Sequence, residues 1–226
     1  MKIALIGCGA MGSLYGGYLS KVHEVTVCDV SQALIDAINE KGIIMDEPNG
    51  ETVVFKPACA TTDSSTVGEQ DLVITFVNYK FLESALTQAK GMIGPNTIVM
   101  SLQNGMGNAE AISAFVDAAR VYIGLCFVCC MMDEPGRIRH LEGGDIQFAP
   151  FVSSAAGSAR ARDFAALFER ARIASTAFDH AEQIQWCKLT WNIPFNGLCV
   201  AHGGISVKKL FTMPGQDERA RAIMEE

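Results

Sequence analysis

The first part of the chain alternates between short, continuous apolar runs and stretches with helical periodicity. The periodic stretches predict helices at 10–20, at 32–41 between an N-cap at Ser31 and a stop at Gly42, and at 81–93. This alternation predicts an α/β fold with a parallel sheet and right-handed crossovers. The apolar runs predict strands covered on both faces: "KIALIG" (2–7), "EVTVCD" (24–29), "ETVVFKPACA" (51–60), "DLVITFV" (71–77) and "NTIVMSL" (96–102).

The pattern changes after Val121. A helix at 155–172 and a strand at 173–178 are expected there, and from Asp179 onward the pattern is wholly helical. We therefore expect a first domain at 1–178 and an all-helical second domain at 179–226. Before the helix, three strands are predicted to extend the sheet in antiparallel fashion, with Gly143–Gly144 as the tightest turn: "VYIGLCFVCCMM" (121–132), "GRIRHLE" (136–142) and "DIQFA" (145–149).

Composition and charge narrow the classes of partner. The 226 residues are 49% hydrophobic and 19% charged, which is typical of a compact folded protein. The net charge of −7 argues against nucleic acid and against an anionic membrane surface. The longest apolar run, 121–132, is too short to cross a bilayer, and the glycine-rich beginning is unlike a signal peptide. We expect no nucleic-acid or membrane partner.

The eight cysteines predict buried free thiols, because most lie in apolar runs and a chain of this length needs no disulfides. Cys126 and Cys129 form one C-x-x-C, but no second Cys or His pair stands nearby to complete a zinc site. A redox or metal role is the alternative for these thiols. We expect no bound metal and a reducing, cytoplasmic compartment.

Three glycines lie where the first strand meets the first helix. Gly7, Gly9 and Gly12 form a G-x-G-x-x-G. The first would allow a tight turn, the second would let backbone amides approach a pyrophosphate, and the third would let the helix pack closely on the strand. The helix N-terminus would then point N–H groups at the phosphates. A purely structural glycine turn is the alternative, but the complete strand–loop–helix setting favours a dinucleotide site.

Asp29, at the end of the second predicted strand, bears on the identity of the dinucleotide. A carboxylate there suits the two ribose hydroxyls of NAD and repels the 2′-phosphate of NADP. Residues 22–42 contain no arginine to receive that phosphate. Taken alone, these residues favour NADH.

A second polar group lies in "WCKLTWNIPFNG" (186–197). Lys188, Asn192 and Asn196 are spaced four residues apart, so on a helix they share one face. One interpretation is a buried helix whose polar groups face a cleft, and the alternative is a solvated polar stripe. The first is favoured by four apolar neighbours: Trp186, Leu189, Trp191 and Phe195.

Two loops at the carboxyl ends of predicted strands are further candidates, because ligands of α/β sheets bind at that edge. One is "SLQNGMG" (101–107), which contains Asn104, and the other is "VNYKF" (77–81). On local grounds Asn104–Gly105 fits a simple turn equally well.

Together these motifs resemble the ketopantoate reductases (2-dehydropantoate 2-reductases). The resemblance implies an N-terminal Rossmann-type doubly wound domain and a helical C-terminal domain for substrate binding and dimerisation, with the active site between them. It also implies reduction of ketopantoate to pantoate with NADPH, on the route to pantothenate and coenzyme A. It runs from Met1 through the helices after Asp179 and rests on "GCGAMGSLYGGYLS", "LQNGMG", "PGRIRHLEGGDIQFA" and, most specifically, "WCKLTWNIPFNGL".

The resemblance implies a role for each matching residue. Lys188 would be the catalytic lysine, and Asn104 would lie near the nicotinamide and the substrate. Asn192 and Asn196 would bind the substrate. A lysine ammonium can stabilise the alkoxide that hydride transfer to a ketone leaves, and then donate the proton. The expected cofactor-binding residues are Gly7, Cys8, Gly9, Ala10, Met11, Gly12, Asp29, Asn78, Lys80 and Asn104.

The chain departs from the family's pattern at several positions. Asn78 stands where the family usually has a lysine, with Lys80 two residues later, and "CDVSQ" (28–32) lacks the arginine that many members carry. Pro194 removes an N–H from the predicted active-site helix and should kink it. The last residues, 215–226, predict a helix that stops in mid-pattern, and the family's later serine and glutamate have no counterpart. The chain is then either a fragment or an incomplete enzyme.

Three functional hypotheses follow. The first is an NAD(P)H-dependent reductase of ketopantoate. The second is a paralogous reductase of another small 2-ketoacid, since the scaffold and the lysine do not select the substrate's side chain. The third is a dinucleotide-binding sensor without catalysis. The expected partner is a small molecule, and a homodimer stays open.

Overall fold

A computed structural model describes residues 1–225, and a ten-stranded mixed sheet forms its centre. The strands are β1 (Lys2–Ile6), β2 (Glu24–Cys28), β3 (Ile43–Asp46), β4 (Thr52–Phe55), β5 (Cys59–Thr61), β6 (Leu72–Thr75), β7 (Ile98–Ser101), β8 (Val121–Glu134), β9 (Arg137–Pro150) and β10 (Ser175–Ala177). The α-helices within residues 1–225 are α1 (Ala10–Ser20), α2 (Gln32–Lys41), α3 (Leu82–Gln88), α4 (Asn108–Ser113), α5 (Ala155–Arg170), α6 (Ala181–Ala201), α7 (Val207–Leu210) and α8 (Gln216–Glu225).

The strand order is β4-β3-β9-β8-β7-β6-β1-β2-β5, with β10 paired to β9. β1 is parallel to both of its neighbours, and Ala4 lies opposite Thr26 on one side and Val73 on the other. β7 and β8 continue the parallel part, and β9 runs antiparallel to β8. The predicted parallel sheet with an antiparallel extension is confirmed. The chain order reverses between β1 and β6, and ligands of such sheets bind at this switch.

Residues 121–150 form two long strands and not the three short ones predicted. The chain reverses at Pro135–Gly136. The predicted turn at Gly143–Gly144 is wrong, because both glycines lie inside β9, beside a register shift between Phe127 and Val128. Gly143 has φ +75°, and a Cβ there would overlap the carbonyl oxygen of Phe127. The glycines therefore accommodate a β-bulge, which a turn signal in the sequence imitates.

Residues 51–60 do not form one strand. They divide into β4 and β5, which lie at opposite edges of the sheet. Pro57 falls between them, where it cannot donate to a strand ladder. β4 pairs antiparallel with β3, a strand that the hydrophobic pattern did not predict. A single apolar run has therefore supplied two strands that are far apart in the sheet.

The first helix is packed tightly over the sheet. Leu14, Tyr15 and Leu19 of α1 are buried in the main core. The ring of Tyr15 stacks on Phe76, just after β6, with centroids 5.6 Å apart. The hydroxyl of Tyr15 donates to the carbonyl oxygen of Gly144 in β9. These contacts hold the beginning of α1 against the centre of the sheet.

The second helix confirms the predicted caps. The side chain of Ser31 accepts a hydrogen bond from the Leu34 N–H, and Gly42 ends the helix with φ +83°. The predicted helix at 81–93 is shorter than expected, since only α3 is α-helical and the turns on either side of it are 3₁₀.

The chain divides into two compact units, Met1–Ala181 and the part from Glu182 onward. The second unit contains α7, α8 and nearly all of α6. Its core consists of Phe195, Leu198, Leu210 and Ala220. Phe195 is the centre of an aromatic group, with ring centroids 4.2 Å from Trp191 and 5.4 Å from Phe211.

α6 is less buried than its apolar residues predict. Of the four apolar residues named beside the polar row, Trp186 and Trp191 are 59% and 50% exposed, Leu189 is half-buried, and only Phe195 is buried. The small core of this unit covers a narrow stripe of the helix, so the remaining apolar side chains stay at its surface. The helix continues through Pro194, which has no N–H to bond to the preceding turn.

The eight cysteines are all free thiols. Cys8, Cys28 and Cys126 are buried as expected, but the prediction is wrong for three others. Those three, Cys59, Cys129 and Cys187, are exposed. Among the described residues, no helix combines the length and apolar character needed to cross a membrane.

Candidate functional site

The loop between β1 and α1 has the geometry that its three glycines require. Gly7 has φ +93°, which a residue with a side chain rarely adopts. A Cβ on Gly12 would overlap the carbonyl oxygen of Gly7, so only glycine lets the helix begin this close to the strand. A Cβ on Gly9, in contrast, would have no heavy atom of the described residues within 4 Å. The protein itself leaves the space over Gly9 open.

The beginning of α1 offers hydrogen-bond donors to that space. Gly9 is the N-cap residue and has no side chain to accept from the helix. The first N–H groups of a helix, here those of Ala10, Met11 and Gly12, lack acceptors within the helix itself. Because they also carry the positive end of the helix dipole, they suit a phosphate or pyrophosphate. The glycine-rich loop and the start of α1 therefore form a cradle for an anionic group.

Asp29, just after β2, is bonded to this loop. Its Oδ2 accepts from the backbone N–H of Cys8 at 2.7 Å, and its Oδ1 accepts from the N–H of Ser31 at 3.0 Å. The carboxylate therefore links the loop after β1 to the start of α2. Each carboxylate oxygen can accept more than one hydrogen bond, so Asp29 keeps acceptor capacity for the hydroxyls of a ligand.

Cys8 contributes its backbone and not its thiol. The side chain is fully buried, with Sγ 3.4 Å from the hydroxyl of Ser13. Burial, opposed in part by that hydrogen bond, raises the pKa of the Cys8 thiol to about 12. The thiol therefore stays protonated and unreactive at neutral pH. Since the N–H of Cys8 is used by Asp29, the phosphate donors of this loop begin at Gly9.

A cavity of about 210 Å³ lies beside the loop at the carboxyl ends of β1 and β2. One wall is apolar, and hydroxyl and amide groups border the rest. Neither Lys nor Arg is among the residues that line it, whereas Asp29 is. The lining is Ile6, Gly7, Cys28, Asp29, Val30, Thr62, Ser64, Val77, Phe81, Ser84, Ala85 and Gln88. Such a slot suits a flat, uncharged ring with polar edges.

A wider depression of about 630 Å³ lies at the amino ends of β1, β2 and β6. Lys2, His23 and Asp71 border it. We give it no role in ligand binding, because doubly wound sheets bind their ligands at the carboxyl ends of the strands.

The turn after β6 contains Asn78 and Lys80. The side-chain oxygen of Asn78 accepts from the N–H of Lys80 at 3.3 Å, so Asn78 caps the 3₁₀ turn that follows it. The ammonium of Lys80 lies 4.7 Å from the ring centroid of Phe81, a residue of the cavity wall. The turn therefore brings a cation next to the cavity.

The loop after β7 contains Asn104. Asn104, Gly105 and Met106 are exposed, and Gly105 and Gly107 have φ +93° and +87°. The preceding residue, Gln103, is buried and hydrogen-bonded. β1, β6 and β7 are neighbouring parallel strands, so the loops that follow them lie together at the carboxyl ends of the sheet, as the sequence predicts.

In the second unit, Lys188, Asn192 and Asn196 all lie within α6. Lys188 and Asn192 are half-buried and Asn196 is exposed. Their spacing puts one amine and two amides along one face of the helix. Such a row can donate to a carbonyl oxygen, a hydroxyl and a carboxylate.

Sequence reasoning missed the cavity wall formed by Thr62, Ser64 and Phe81. These residues come from turns that follow β5 and β6, and β5 was not separated from β4. It also missed Gln103, although this residue stands in the "SLQNGMG" motif. A buried amide directly before an exposed asparagine was the available signal.

Comparison with known proteins agrees with this geometry. The family model "Ketopantoate reductase PanE/ApbA" matches residues 3–153. A 2-dehydropantoate 2-reductase of Halobacterium salinarum is 29% identical over 226 residues, which are 100% of this chain and 73% of that protein. Two others, of Nostoc sp. and Streptococcus pyogenes, match over 63% and 46% of their own length.

Two solved structures are also similar. One is the 2-dehydropantoate 2-reductase of Geobacter metallireducens, with a TM-score of 0.90 and 28% identity over 99% of this chain and 73% of that one. The other is a D-mandelate dehydrogenase with NADH and anilino(oxo)acetate, with a TM-score of 0.87 and 25% identity over 97% of this chain and 70% of that one. The glycine-rich cradle, the loops beside it and the match over most of the first unit lead to one assignment: the chain belongs to the ketopantoate reductase family of oxidoreductases.

Proposed function

We propose that this protein reduces ketopantoate to pantoate with NAD(P)H, a step of pantothenate and coenzyme A biosynthesis. The observation that carries the proposal is the open space over Gly9 at the N-terminus of α1, in a chain that belongs to the family. A ligand can occupy this space, and the N–H groups around it suit a pyrophosphate. Ketopantoate reductases and their structural neighbours use NAD(P)H.

The expected cofactor-binding residues would contact two different parts of the cofactor, its phosphates and its ribose. The N–H groups of Gly9, Ala10, Met11 and Gly12 would hold the pyrophosphate. Asp29, already bonded to Cys8, would accept from ribose hydroxyls in the cavity beside it. Asn78, Lys80 and Asn104 would border the rest of the dinucleotide.

The reaction needs a hydride and a proton. When bound, NAD(P)H supplies the hydride to the keto carbon of the substrate. The ammonium of Lys188 would donate a hydrogen bond to the keto oxygen and then give it the proton, which leaves a neutral amine that takes a proton from solvent. The amides of Asn192 and Asn196 would bind the substrate's hydroxyl and carboxylate.

We further propose that the protein uses NADH at least as well as NADPH. A 2′-phosphate in the cavity would lie beside the Asp29 carboxylate, and no Lys or Arg lines that cavity. Lys80, whose ammonium lies over the ring of Phe81 in the cavity wall, is a candidate to offset the repulsion.

The test is a steady-state assay of the purified chain with ketopantoate and each cofactor. Turnover with NADH at least equal to that with NADPH supports both proposals. A tenfold preference for NADPH, about 1.4 kcal/mol of discrimination, would show that Asp29 does not decide the choice. Asp29→Ala should raise kcat/KM for NADPH relative to NADH, while both absolute values fall because the N–H of Cys8 loses its acceptor.

A second candidate, a reductase of another 2-ketoacid, is favoured by the likeness to a D-mandelate dehydrogenase. The same assay with 2-oxo-phenylacetate, the ketoacid that corresponds to mandelate, separates the two. Turnover of that substrate alone would overturn ketopantoate as the substrate. Cofactor binding without turnover of either would instead support a sensor.

A further inference from the structure

One buried amide connects the two loops that follow β6 and β7. Gln103 is only 7% exposed. Its Oε1 accepts from the hydroxyl of Thr75 at 3.0 Å and from the hydroxyl of Ser101 at 2.9 Å. Its Nε2 donates to the carbonyl oxygen of Val77. The side chain therefore bonds to the ends of both strands and to the loop beyond β6.

The chemistry of these partners requires an amide at this position. The two hydroxyls need an acceptor, and the carbonyl of Val77 needs a donor. Glutamate would keep the acceptors but lose the donor, and methionine would lose both. Because the group is buried, an unmatched donor or acceptor carries the full cost of its lost hydration. The network therefore holds Gln103 and Val77 in one arrangement.

The two residues that follow are the exposed Asn78 and Asn104. Asn78 comes directly after Val77, and Asn104 directly after Gln103. Beyond them the loop after β7 has little apolar anchoring, since Gly105 and Met106 are also exposed. The relative position of the two asparagines thus depends on the buried amide between their loops.

The topology says which part of a ligand these loops face. A dinucleotide lies across the switch point of such a sheet, with one nucleotide on each side. The cavity beside Asp29 extends from the ends of β1 and β2 to Val77 of the loop after β6, whereas the loop after β7 lines no part of it. The nicotinamide nucleotide would therefore lie beyond this cavity, toward the loop after β7.

We propose that Gln103 is a positioning residue for the nicotinamide half of the cofactor, acting through Asn78 and Asn104. This inference rests on the proposed function, because it assumes that a nicotinamide dinucleotide binds. Gln103 itself makes no contact with the ligand. It fixes the distance between two loops that do.

The test compares affinities for NADH and for ADP-ribose, which lacks the nicotinamide, by calorimetry on the full chain. The variants are Gln103→Glu and, in case the buried carboxylate prevents folding, Gln103→Met. The matched control is Thr97→Val. Thr97 is also buried, and its hydroxyl bonds to Gln70, Met92 and Gly94 just before the amino end of β7, away from both loops.

We expect each Gln103 variant to bind ADP-ribose within about twofold of wild type and NADH about tenfold more weakly, the size of one lost hydrogen bond. The fluorescence emission of NADH bound to the Gln103 variants should also differ from that of NADH bound to wild type. Thr97→Val should change thermal stability but neither affinity.

Two results would overturn the inference while the proposed function stands. One is an equal loss of affinity for ADP-ribose and NADH, which marks a structural residue. The other is wild-type binding of both ligands by the Gln103 variants. If wild type binds neither ligand, the proposed function fails and this inference fails with it.

Discussion

The two compact units of this chain are built differently. In the first, a ten-stranded sheet and the helices α1, α2 and α5 share one large core, and the cradle for a ligand is fixed by contacts within the unit. In the second, a core of four residues supports three helices, and Trp186 and Trp191 are 59% and 50% exposed. The proposed cofactor site and the proposed proton donor therefore lie in units whose cores differ in size. Substitutions in the two units should therefore have separable effects.

The largest effect is expected at Gly9 in the first unit. Gly9→Val should abolish dinucleotide binding, because its side chain would enter the open space over the loop, where a Cβ meets no heavy atom of the described residues within 4 Å. The measurement is a cofactor titration followed by intrinsic fluorescence. Gly68→Val is the control, since Gly68 also has open space but does not line the cavity.

Circular dichroism should show both variants folded. Wild-type affinity for the cofactor in Gly9→Val would show that the space over Gly9 does not hold the phosphates. The comparison of a ligand site in the first unit with a catalytic row in the second would then lose its basis.

The second largest effect is expected at Lys188 in the second unit. Lys188→Ala should lower kcat about 10²-fold or more, because the proton donor and the charge that stabilises the alkoxide are both lost. The affinity for cofactor should stay near wild type. Lys208→Ala, an exposed lysine on α7, is the control and should keep full activity.

Steady-state kinetics with the two lysine variants measure this directly. An unchanged kcat in Lys188→Ala would show that Lys188, Asn192 and Asn196 form a solvated polar stripe on α6. The second unit would then have no proposed catalytic residue.

A smaller effect tests the unequal cores themselves. Phe195→Leu should lower the free energy of unfolding by about 1 kcal/mol. It should also speed amide hydrogen exchange throughout α6, α7 and α8, because the other three core residues make few contacts that could hold these helices. The matched variant is Phe168→Leu in α5, where Phe168 is fully buried against Phe148 in the main core.

In Phe168→Leu the central strands should keep slow exchange. Equal protection of the second-unit helices in Phe195→Leu and wild type would show that this unit is as stable as the first.

The smallest effect concerns alkaline pH in the first unit. Burial, with Cys59, Cys8 and Asp29 nearby, raises the pKa of the Cys28 thiol to about 12. The folded state keeps this thiol protonated while the unfolded state ionises, so its contribution to stability is complete below the unfolded pKa and is lost as pH rises toward 12.

At pH 9 the loss should be about 0.8 kcal/mol. Unfolding by urea across pH 7–10 should therefore show a shallower decline in Cys28→Ala than in wild type. Val27→Ala, which removes buried volume and no ionisable group, should lower stability equally at each pH. If Cys28→Ala follows the wild-type slope, the thiol is not part of the alkaline response.

The sequence was most informative where the controlling interactions are local. The junction from β1 through the glycine-rich loop to α1 appears as predicted, and so do both caps of α2. A positive φ, a close backbone approach and a cap are decided by residues a few positions apart. The geometry of the glycine-rich loop could be predicted for this reason.

The errors arose where the partner is distant along the chain. Gly143 serves a bulge against Phe127 and not a turn, and residues 51–60 supply strands to opposite edges of the sheet. The two tryptophans of α6 looked like core residues, yet their burial depends on what the unit can place over them. The periodicity of a segment shows which of its residues are apolar, but it does not show which part of the protein packs against them.

By itself, then, the sequence determined the alternation of strands and helices at the start of the chain, the glycine cradle and the row of Lys188, Asn192 and Asn196, because these depend on spacing within one element or one loop. Only the tertiary structure decided that Asp29 bonds to Cys8 and that Gln103 joins the loops after β6 and β7. Those bonds span more than twenty residues. They exist because strands that are distant in the chain end side by side, where a buried polar group must find its partner.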